Sequence, residues 1–439
     1  MSTLNLVPGS SAGSIAAEET TTYDACVIGL GYIGLPTAAI AAQRSIRVLG
    51  VDIDARVIEA VSRGTIHIEE PGLAEQVAHA VERKMLSVAR LPEPASVFLI
   101  AVPTPFTDGH VPDLKYVRSA ALSVAPVLKR GDLVVLESTC PVGATEQMCE
   151  WLAHARPDLT FPHRGDTATP DVFVAYCPER VLPGRTCIEL VKNDRVIGGI
   201  TPACAHRAAA FYRRFVEGDC AVTDVRTAEL CKLSENSFRD VNIAFANELS
   251  LVAARFNVDV WTLIRLANRH PRVNILEPGP GVGGHCIAVD PWFIVSGAPD
   301  ESRLIRKARE VNDYKPQWVL DKVRRAIAGH REKGPVENVC IAVMGLAFKP
   351  DVDDLRESPA VAIAHALMRE PGCQLLIAEP HIDTLPAELQ GPNAWLIEAD
   401  AAIAMADVCV VLVKHRAFLS LDLAQLTGKT IVDTKGLWQ

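Results

Sequence analysis

The chain has 439 residues, of which 49% are hydrophobic and 22% charged, a composition that excludes an intrinsically disordered protein and predicts two or three domains. Its formal net charge of −9 argues against a protein that binds nucleic acid through a broad basic surface. The longest apolar stretches are of strand length, far below the ~20 residues that span a bilayer, which predicts no membrane segment. Residues 1–22 lack the features of a signal peptide, and we expect a flexible tail on a protein of the cytoplasm.

Strands and helices are predicted to alternate in the first part of the chain. The predicted strands cover residues 24–29, 46–52, 97–102 and 133–137, and a helix is predicted over 114–128. Strands that alternate with helices form right-handed βαβ units on a parallel sheet. We therefore predict a doubly wound α/β domain over residues 23–219.

The middle of the chain is predicted to be helical. Residues 226–256 contain neither glycine nor proline and are rich in helix formers, which predicts one long helix within a connecting domain over residues 220–332. A polar segment with Gly-Pro over residues 331–336 is typical of a linker at the end of this domain.

The last part, residues 333–439, alternates again. Ser358-Pro359 has the chemistry of a helix start. The predicted strands cover residues 339–344, 375–378, 408–413 and 430–433. The predicted fold class is therefore α/β, with two doubly wound Rossmann-like domains joined by a long central helix.

A glycine-rich turn joins the first predicted strand to a helix. Gly29, Gly31 and Gly34 form a GxGxxG motif, and Asp52 ends the next strand. Such glycines let the backbone approach a pyrophosphate closely, and the acid accepts hydrogen bonds from ribose hydroxyls. The order of strand, turn, helix, strand and acid favours a dinucleotide site over a merely crowded turn. The acid favours NAD over NADP, although Arg56 is near.

Two threonines, Thr104 in VPTP and Thr139 in EST, each follow a predicted strand. The carboxyl ends of parallel strands face the ligand crevice of an α/β sheet, so either threonine could contact a cofactor. Turn chemistry next to a proline is the alternative.

The segment PGPGVGGHC over residues 278–286 ends at Cys286, shortly before a helix start at Asp290-Pro291. A partly exposed thiol near a helix start has the setting of a nucleophile. A buried cysteine after a flexible turn remains the alternative, and Asp290 could be a plain N-cap. The twelve cysteines of the chain form no CxxC pair and no Cys/His cluster, which predicts reduced thiols and no metal site.

Lys232, Asn236 and Arg239 are spaced to share one face of the long helix. A solvated face explains most such polar stripes. Apolar neighbours interrupt this one, so it could instead face a cleft, where a lysine acts as a base or stabilises an oxyanion.

Together these motifs resemble the UDP-glucose/GDP-mannose dehydrogenase family. The resemblance extends from about residue 24 to residue 438 and rests on GLGYIGLP, VPTP, ESTCPVG, YCPERVLPG, AELCKLSENSFRDVNIAFANE, NRHPRVN, PGPGVGGHC, GLAFKPDVDDLRESP and DTKG. It is closest to the members that act on UDP-N-acetyl-D-mannosamine. It implies an NAD-binding Rossmann domain, a homodimer built on the central helix, a C-terminal domain that binds a UDP-sugar, and a place in polysaccharide biosynthesis for the cell envelope.

The resemblance also implies roles for individual residues. The catalytic positions correspond to Cys286, Lys232, Asn236, Asp290 and Glu179. The cofactor positions correspond to Tyr32, Ile33, Asp52, Thr104, Thr139 and Arg356, beside the three glycines of the turn. The substrate positions correspond to Arg180, Val181, Lys232, Asn236, Arg239, His270, Arg272, Gly283, Phe348, Lys349 and Lys435. UDP-glucose enzymes of the family have a second acid where this chain has Pro183, so its part in hydrolysis must fall to another group or to water alone.

The implied reaction is a four-electron oxidation of the sugar C6 alcohol by two NAD. An aldehyde forms first, the Cys286 thiolate traps it as a thiohemiacetal, a second oxidation gives a thioester, and water releases the acid. Three alternatives remain open: the same reaction on UDP-N-acetylglucosamine or UDP-glucose, a two-electron dehydrogenase that does not use Cys286, and a non-catalytic NAD-sensing module.

Overall fold

The computed structural model describes residues 23–165, 169–182, 184–284, 286–332, 334 and 337–438, which divide into two compact units. The N-terminal unit comprises the described residues up to Val102, with Val117–Ser138 and Thr145–Asp224. The C-terminal unit comprises Pro103–Tyr116, Thr139–Ala144 and the described residues from Val225 onward. The predicted tail over residues 1–22 and Pro183 lie outside the described residues.

Strands and helices alternate along most of the chain. In chain order the strands are β1 (Tyr23–Ile28), β2 (Val48–Val51), β3 (Leu86–Ala89), β4 (Ala95–Ile100), β5 (Phe106–Thr107), β6 (Val111–Pro112), β7 (Leu133–Leu136), β8 (Phe173–Tyr176), β9 (Arg195–Gly199), β10 (Cys220–Asp224), β11 (Val339–Met344), β12 (Cys373–Ala378), β13 (Ala394–Leu396), β14 (Val408–Val411) and β15 (Thr430–Asp433). The α-helices are α1 (Gly34–Gln43), α2 (Ala55–Ser62), α3 (Leu73–Glu82), α4 (Lys115–Val124), α5 (Ala144–Ala155), α6 (Thr186–Lys192), α7 (Pro202–Tyr212), α8 (Val225–Arg255), α9 (Val260–Ala267), α10 (Asp290–Gly297), α11 (Arg303–Arg331), α12 (Pro359–Met368) and α13 (Ala399–Met405).

The N-terminal unit is built on one sheet with the strand order β10-β9-β8-β7-β4-β1-β2-β3. Its neighbouring strands run parallel except β8 and β9, which pair antiparallel. The strands β2 and β7 are buried along their whole length, as expected for apolar runs covered by helices on both faces. The four predicted strands of this unit are confirmed to within two residues at either end, and α4 occupies the predicted helix.

The C-terminal unit holds a parallel sheet with the order β13-β12-β11-β14-β15 and the long helices α8 and α11. The predicted long helix is confirmed as α8, and the strands over 339–344 and 430–433 are confirmed as β11 and β15. The Ser358 side chain accepts a hydrogen bond from the Ala360 N–H at the start of α12, which confirms the predicted cap. Together the two sheets confirm the predicted fold class.

The predicted linker over residues 331–336 is described only in part. The helix α11 continues through Arg331, and Lys333, Pro335 and Val336 lie outside the described residues. Among the residues that the structure describes, no helix is both long enough and apolar enough to cross a membrane.

Candidate active site

The GxGxxG turn connects β1 to α1 and has the shape that a dinucleotide needs. Gly29 has a φ of +92°, and a Cβ there would lie 2.4 Å from the Ala101 carbonyl oxygen. A Cβ on Gly34 would lie 1.8 Å from the Gly29 oxygen, so both positions require glycine. A Cβ on Gly31 would meet no other described heavy atom within 4 Å. The backbone is therefore open at Gly31, and these residues fit a pyrophosphate at the start of α1.

Asp52 follows β2 and is held in place by backbone groups. Its Oδ2 accepts a hydrogen bond from the Leu30 N–H at 2.9 Å, and its Oδ1 accepts one from the Asp54 N–H at 2.9 Å. Arg56 pairs with Asp54, with Nη2 2.8 Å from Oδ2, rather than with Asp52. The half-buried Asp52 carboxylate thus keeps free lone pairs at the mouth of the turn, where ribose hydroxyls would be bound. Tyr32, which follows Gly31 in the turn, is 44% exposed.

Three predicted cofactor residues lie in the C-terminal unit. The Thr104 hydroxyl donates a hydrogen bond to the Thr139 carbonyl oxygen, so these two threonines do come together. Arg356 forms a two-point contact with Asp354, with its Nε 2.8 Å from Oδ1 and its Nη2 2.7 Å from Oδ2.

Four predicted catalytic residues gather where α8 meets the turn before α10. Cys286 closes that turn, because its carbonyl oxygen accepts the Asp290 N–H at 2.8 Å. Asp290 is the first residue of α10 and not its N-cap, which is Val289. The Asp290 Oδ2 instead accepts a hydrogen bond of 2.5 Å from the Asn236 Nδ2 on α8. The interpretation of Asp290 as a plain N-cap is therefore wrong.

The buried Asp290 carboxyl has a strongly shifted pKa. Only 3% of the residue is exposed, and this burial raises its pKa to about 6. The hydrogen bond from Asn236 and the positive charge of Lys232 oppose this rise without cancelling it. Asp290 can therefore take up and release a proton near neutral pH, which is what a general base or acid requires.

The Cys286 thiol lies in a field of opposing charges. Cys286 is exposed, whereas the other eleven cysteines are buried or half-buried. The protein atoms packed around its sulfur raise its pKa, and the negative charge of Asp290 raises it further. The cations that lower it are Lys232, Arg356 and Lys349. The residue is exposed while its sulfur is partly surrounded by protein, and the thiol becomes a better nucleophile when Asp290 is protonated or a further cation approaches.

The glycine-rich segment before Cys286 packs closely against Phe348 and Glu357, between β11 and α12. A Cβ on Gly283 would lie 2.3 Å from the Glu357 carbonyl oxygen. Gly284 has a φ of +83°, and a Cβ there would lie 2.8 Å from the Phe348 ring. The Lys349 Nζ lies 5.5 Å from the centroid of the same ring. The predicted substrate residues Gly283, Phe348 and Lys349 therefore do come together beside Cys286.

Glu179, Arg180 and Val181 lie in the N-terminal unit. The Glu179 Oε2 forms a buried ion pair of 2.6 Å with Arg195 Nη1, and its Oε1 accepts the Arg180 N–H at 2.6 Å. The Glu179 side chain is thus fixed in place by the buried Arg195.

The remaining predicted substrate residues lie on the surface of the C-terminal unit or close under it. Arg239, His270 and Arg272 are exposed, and among the described residues no hydrogen bond or ion pair joins these three to the cluster around Cys286. The Lys435 Nζ donates a hydrogen bond of 3.2 Å to the Pro278 carbonyl oxygen at the start of the glycine-rich segment.

Asp351, His381 and His415 bring three possible metal-ligand atoms within 4.8 Å of one another. Two of the three groups are already engaged. The His415 Nδ1 accepts the Asp351 N–H at 3.0 Å, and the Asp351 Oδ1 accepts the Arg416 N–H at 2.9 Å. Since a metal would have to displace these bonds, the cluster is better described as a hydrogen-bonded network.

One positioning residue was missed by the sequence reasoning. Glu229 on α8 is 0% exposed, and its Oε2 accepts the Gly143 N–H at 2.6 Å, which anchors the segment that carries Thr139. The sequence signal was a glutamate on the buried face of a helix, where an ionised side chain needs a partner.

Comparison with known sequences decides the family. Three domain models of the UDP-glucose/GDP-mannose dehydrogenase family match the chain. The NAD binding domain matches residues 23–216, the central domain matches 226–314, and the UDP binding domain matches 342–439. The chain belongs to this family. The UDP binding domain includes Phe348, Lys349, Arg356 and Lys435.

Individual relatives match over almost their whole length. The UDP-N-acetyl-D-mannosamine dehydrogenase of Salmonella typhi is 59% identical over 94% of this chain and 98% of its own. The NDP-N-acetyl-D-galactosaminuronic acid dehydrogenase of Ralstonia nicotianae is 57% identical over 94% of this chain and 95% of its own. The solved structure of UDP-D-ManNAc dehydrogenase from Pyrococcus horikoshii superposes with a TM-score of 0.82 at 36% identity, covering 94% of this chain and 96% of that one.

Proposed function

We propose that this protein oxidises the C6 alcohol of UDP-N-acetyl-D-mannosamine to the uronic acid, with two NAD as electron acceptors. The observation that carries the proposal is the cluster in which the exposed residue Cys286 lies with Lys232, Asn236 and Asp290. A two-electron dehydrogenase has no use for a thiol there. The overall reaction consumes one water and two NAD for each alcohol, and it releases the carboxylate, two NADH and three protons.

The residues of the cluster divide the work. Lys232 stabilises the oxyanion that forms when the alcohol is deprotonated and again in the thiohemiacetal. Cys286 adds through its sulfur to the aldehyde carbon, and the thioester formed after the second oxidation is cleaved by water. Asp290, whose pKa is about 6, exchanges protons with the attacking thiol or water, and Asn236 fixes its orientation. Glu179, in the N-terminal unit, is the fifth residue assigned to catalysis.

The cofactor is assigned to the GxGxxG turn. When bound, NAD supplies the acceptor for the two hydrides that a primary alcohol loses on the way to an acid. Gly29, Gly31 and Gly34 would receive its pyrophosphate and Asp52 its ribose hydroxyls. The further contacts are assigned to Tyr32, Ile33, Thr104, Thr139 and Arg356.

The UDP-sugar is assigned to the domain over residues 333–439 and to the connecting domain over 220–332. The diphosphate needs local positive charge in a chain of net charge −9, and Lys349 and Lys435 supply it beside the glycine-rich segment. The further substrate contacts are assigned to Arg180, Val181, Lys232, Asn236, Arg239, His270, Arg272, Gly283 and Phe348.

A homodimer in the cytoplasm is the proposed form of the enzyme. Phe238, Phe245 and Val252 are 69%, 56% and 45% exposed and repeat every seven residues along α8, which forms an apolar stripe on a helix that must face something other than water. Exposed Arg239 and Arg272 would then be able to reach the site of the second subunit. Phe245→Glu should give a monomer in sedimentation, whereas the exposed polar variant Glu248→Gln should leave the dimer intact.

The sugar itself is the point on which the relatives differ, since those at 59% and 57% identity act on different N-acetylated sugars. The experiment is a panel of UDP-sugars, including the N-acetyl-D-mannosamine, N-acetyl-D-galactosamine, N-acetylglucosamine and glucose forms, with NADH counted per sugar consumed. We expect two NADH per UDP-N-acetyl-D-mannosamine and no aldehyde trapped by hydroxylamine. One NADH per sugar would contradict the proposal and favour a two-electron dehydrogenase.

A further inference from the structure

A lysine that the proposed mechanism does not use is buried between the two long helices. Lys315 on α11 is 2% exposed, and its Nζ donates a hydrogen bond to the Ser250 hydroxyl on α8. The same Nζ lies 4.4 Å from the centroid of the Trp318 ring. No carboxylate among the described residues forms an ion pair with it. A buried ammonium without a counter-charge is strongly unfavourable, so its retention needs a reason.

Two more lysines place positive charge around Lys315. The Lys322 Nζ lies 4.3 Å from the centroid of the same Trp318 ring. Lys435 follows β15 and donates to the Pro278 carbonyl oxygen, and a Cβ on Gly279 would lie 3.5 Å from its Nζ. We call Lys315, Lys322 and Lys435 the lysine cluster. Its Lys435 contacts the buried start of the glycine-rich segment that leads to Cys286, and a Cβ on Gly281 of that segment would lie 3.0 Å from the ring of Pro316, which follows Lys315.

The charges around the cluster leave it positive. The pKa of Lys315 is lowered to about 7, first by burial and then by the charges of Lys322 and Lys435. Burial and Lys414 lower the pKa of Lys435, and Glu277 and Asp433 oppose this only in part. Arg325 adds a further positive charge near Lys322. The face on α8 contributes the neutral Ser250 hydroxyl.

We propose that Lys315 senses the nucleotide diphosphate and takes up a proton from solvent when the diphosphate binds beside Lys435. The proposal rests on the proposed function, because that function brings a diphosphate to Lys435. The two negative charges supply the counter-charge that the protein itself lacks, and the ammonium form of Lys315 is then favoured. The proton comes from the buffer, and no covalent bond changes.

The consequence is an affinity that depends on pH with a defined sign. Below pH 7 Lys315 already holds its proton, so binding takes up none. Above pH 7 binding must first protonate it, so the affinity should fall by up to about tenfold for each pH unit until the pKa of the bound form is reached. Substrate thus binds more tightly on the acidic side of neutral pH.

The test is calorimetric titration of the enzyme with UDP-N-acetyl-D-mannosamine without NAD, so that no turnover occurs. The diphosphate of a UDP-sugar is not expected to titrate between pH 6 and pH 9. Measuring the heat at pH 8 in phosphate and in Tris counts the protons taken up, because the two buffers release different heats on ionisation. We expect the wild type to take up most of one proton, and Lys315→Met to take up much less and to bind with little dependence on pH. Lys307→Met, which changes an exposed lysine of the same helix, should keep the uptake.

The outcomes separate the two proposals. A wild type that binds the UDP-sugar without proton uptake overturns the role of Lys315 whatever the variants do. Uptake that persists in Lys315→Met assigns the proton to Lys435 or another group and also overturns it. A wild type that binds none of the UDP-sugars in the panel contradicts the proposed function instead. Uridine, which lacks the diphosphate, should cause no uptake in any variant.

Discussion

Replacing Asp290 by asparagine should make the protein more stable and the enzyme slower. The Asp290 carboxyl is 3% exposed, and its pKa is raised to about 6 from 3.8 mainly by burial. An asparagine keeps the shape and an oxygen that accepts the 2.5 Å hydrogen bond from Asn236. It removes the buried negative charge. The variant therefore isolates the cost of ionisation from the cost of lost packing.

The magnitude and sign follow from the shift. A raised pKa means that the folded state binds this proton more tightly than the unfolded state, so the contribution to stability falls as the pH rises from about 4 to about 6. The full loss for the shift from 3.8 to about 6 is about 3 kcal/mol. Roughly half of it develops between pH 5 and pH 8. Asp290→Asn should remove this loss, so its gain in stability over the wild type should be larger at pH 8 than at pH 5 by about 1 to 2 kcal/mol.

Urea unfolding at the two pH values measures the difference, and NADH production measures the activity. Turnover should fall by about 10²-fold or more, as when a group that moves a proton is lost. The Cys286 thiol should react faster with iodoacetamide at pH 7, because a charge that raises its pKa is gone. Asp300→Asn, a change at an exposed position of the same unit, should alter none of these. An equal stability difference at both pH values would refute the assignment of the burial cost to Asp290.

Further predictions concern the thiol, the cofactor and the substrate. Cys286→Ser should retain NAD binding and accumulate a sugar ester that is visible by intact mass, because a serine ester is hydrolysed far more slowly than a thioester. The control Cys340→Ser, at a half-buried cysteine, should turn over normally. Wild-type enzyme should have a much higher kcat/KM with NAD than with NADP, and Asp52→Asn should reduce this preference without unfolding the protein; equal values in the wild type would contradict the assignment. Arg272→Ala should raise KM for the UDP-sugar far more than KM for NAD, unlike the neighbouring exposed variant Arg269→Ala, and an unchanged sugar KM would exclude Arg272 from the substrate site.

Periodicity and local chemistry were enough to predict much of the fold. Buried parallel strands are continuous apolar runs, so β11 was located to the residue. The helix α8 could be read because 31 residues without glycine or proline leave little alternative. The antiparallel pairing of β8 with β9 could not be read, because it depends on which sheet edge remains free after the other strands have paired.

In the candidate site, too, contacts that are local in the sequence could be predicted, and contacts between distant segments could not. Lys232 and Asn236 are one helical turn apart, so the sequence places them together without knowledge of the fold. The partner of Asn236 is Asp290, 54 residues later, and only the packing of α10 on α8 brings the two side chains together. The same holds for Lys315, whose burial depends on how α11 packs against α8. Contacts of this kind are set by tertiary structure and carry no local signal.

The two sheets share the same arrangement of a glycine after one strand and an acid after the next. The two acids differ in burial, and this difference decides what each can bind. The strands β1 and β11 are each followed by a glycine with a φ of +92°, Gly29 and Gly345. The strands β2 and β12 are each followed by an acid, Asp52 and Glu379. Each acid accepts a hydrogen bond from the N–H of the residue after the glycine. Asp52 stays half-buried with lone pairs to spare. The Glu379 side chain is 0% exposed and accepts four hydrogen bonds, from the N–H groups of Leu346, Ala347 and His381 and from His415. A carboxylate saturated in this way cannot receive ribose hydroxyls, so the second sheet must recognise its nucleotide by other groups. Lysines at its strand ends, which bind phosphate by charge, are the groups that this domain offers.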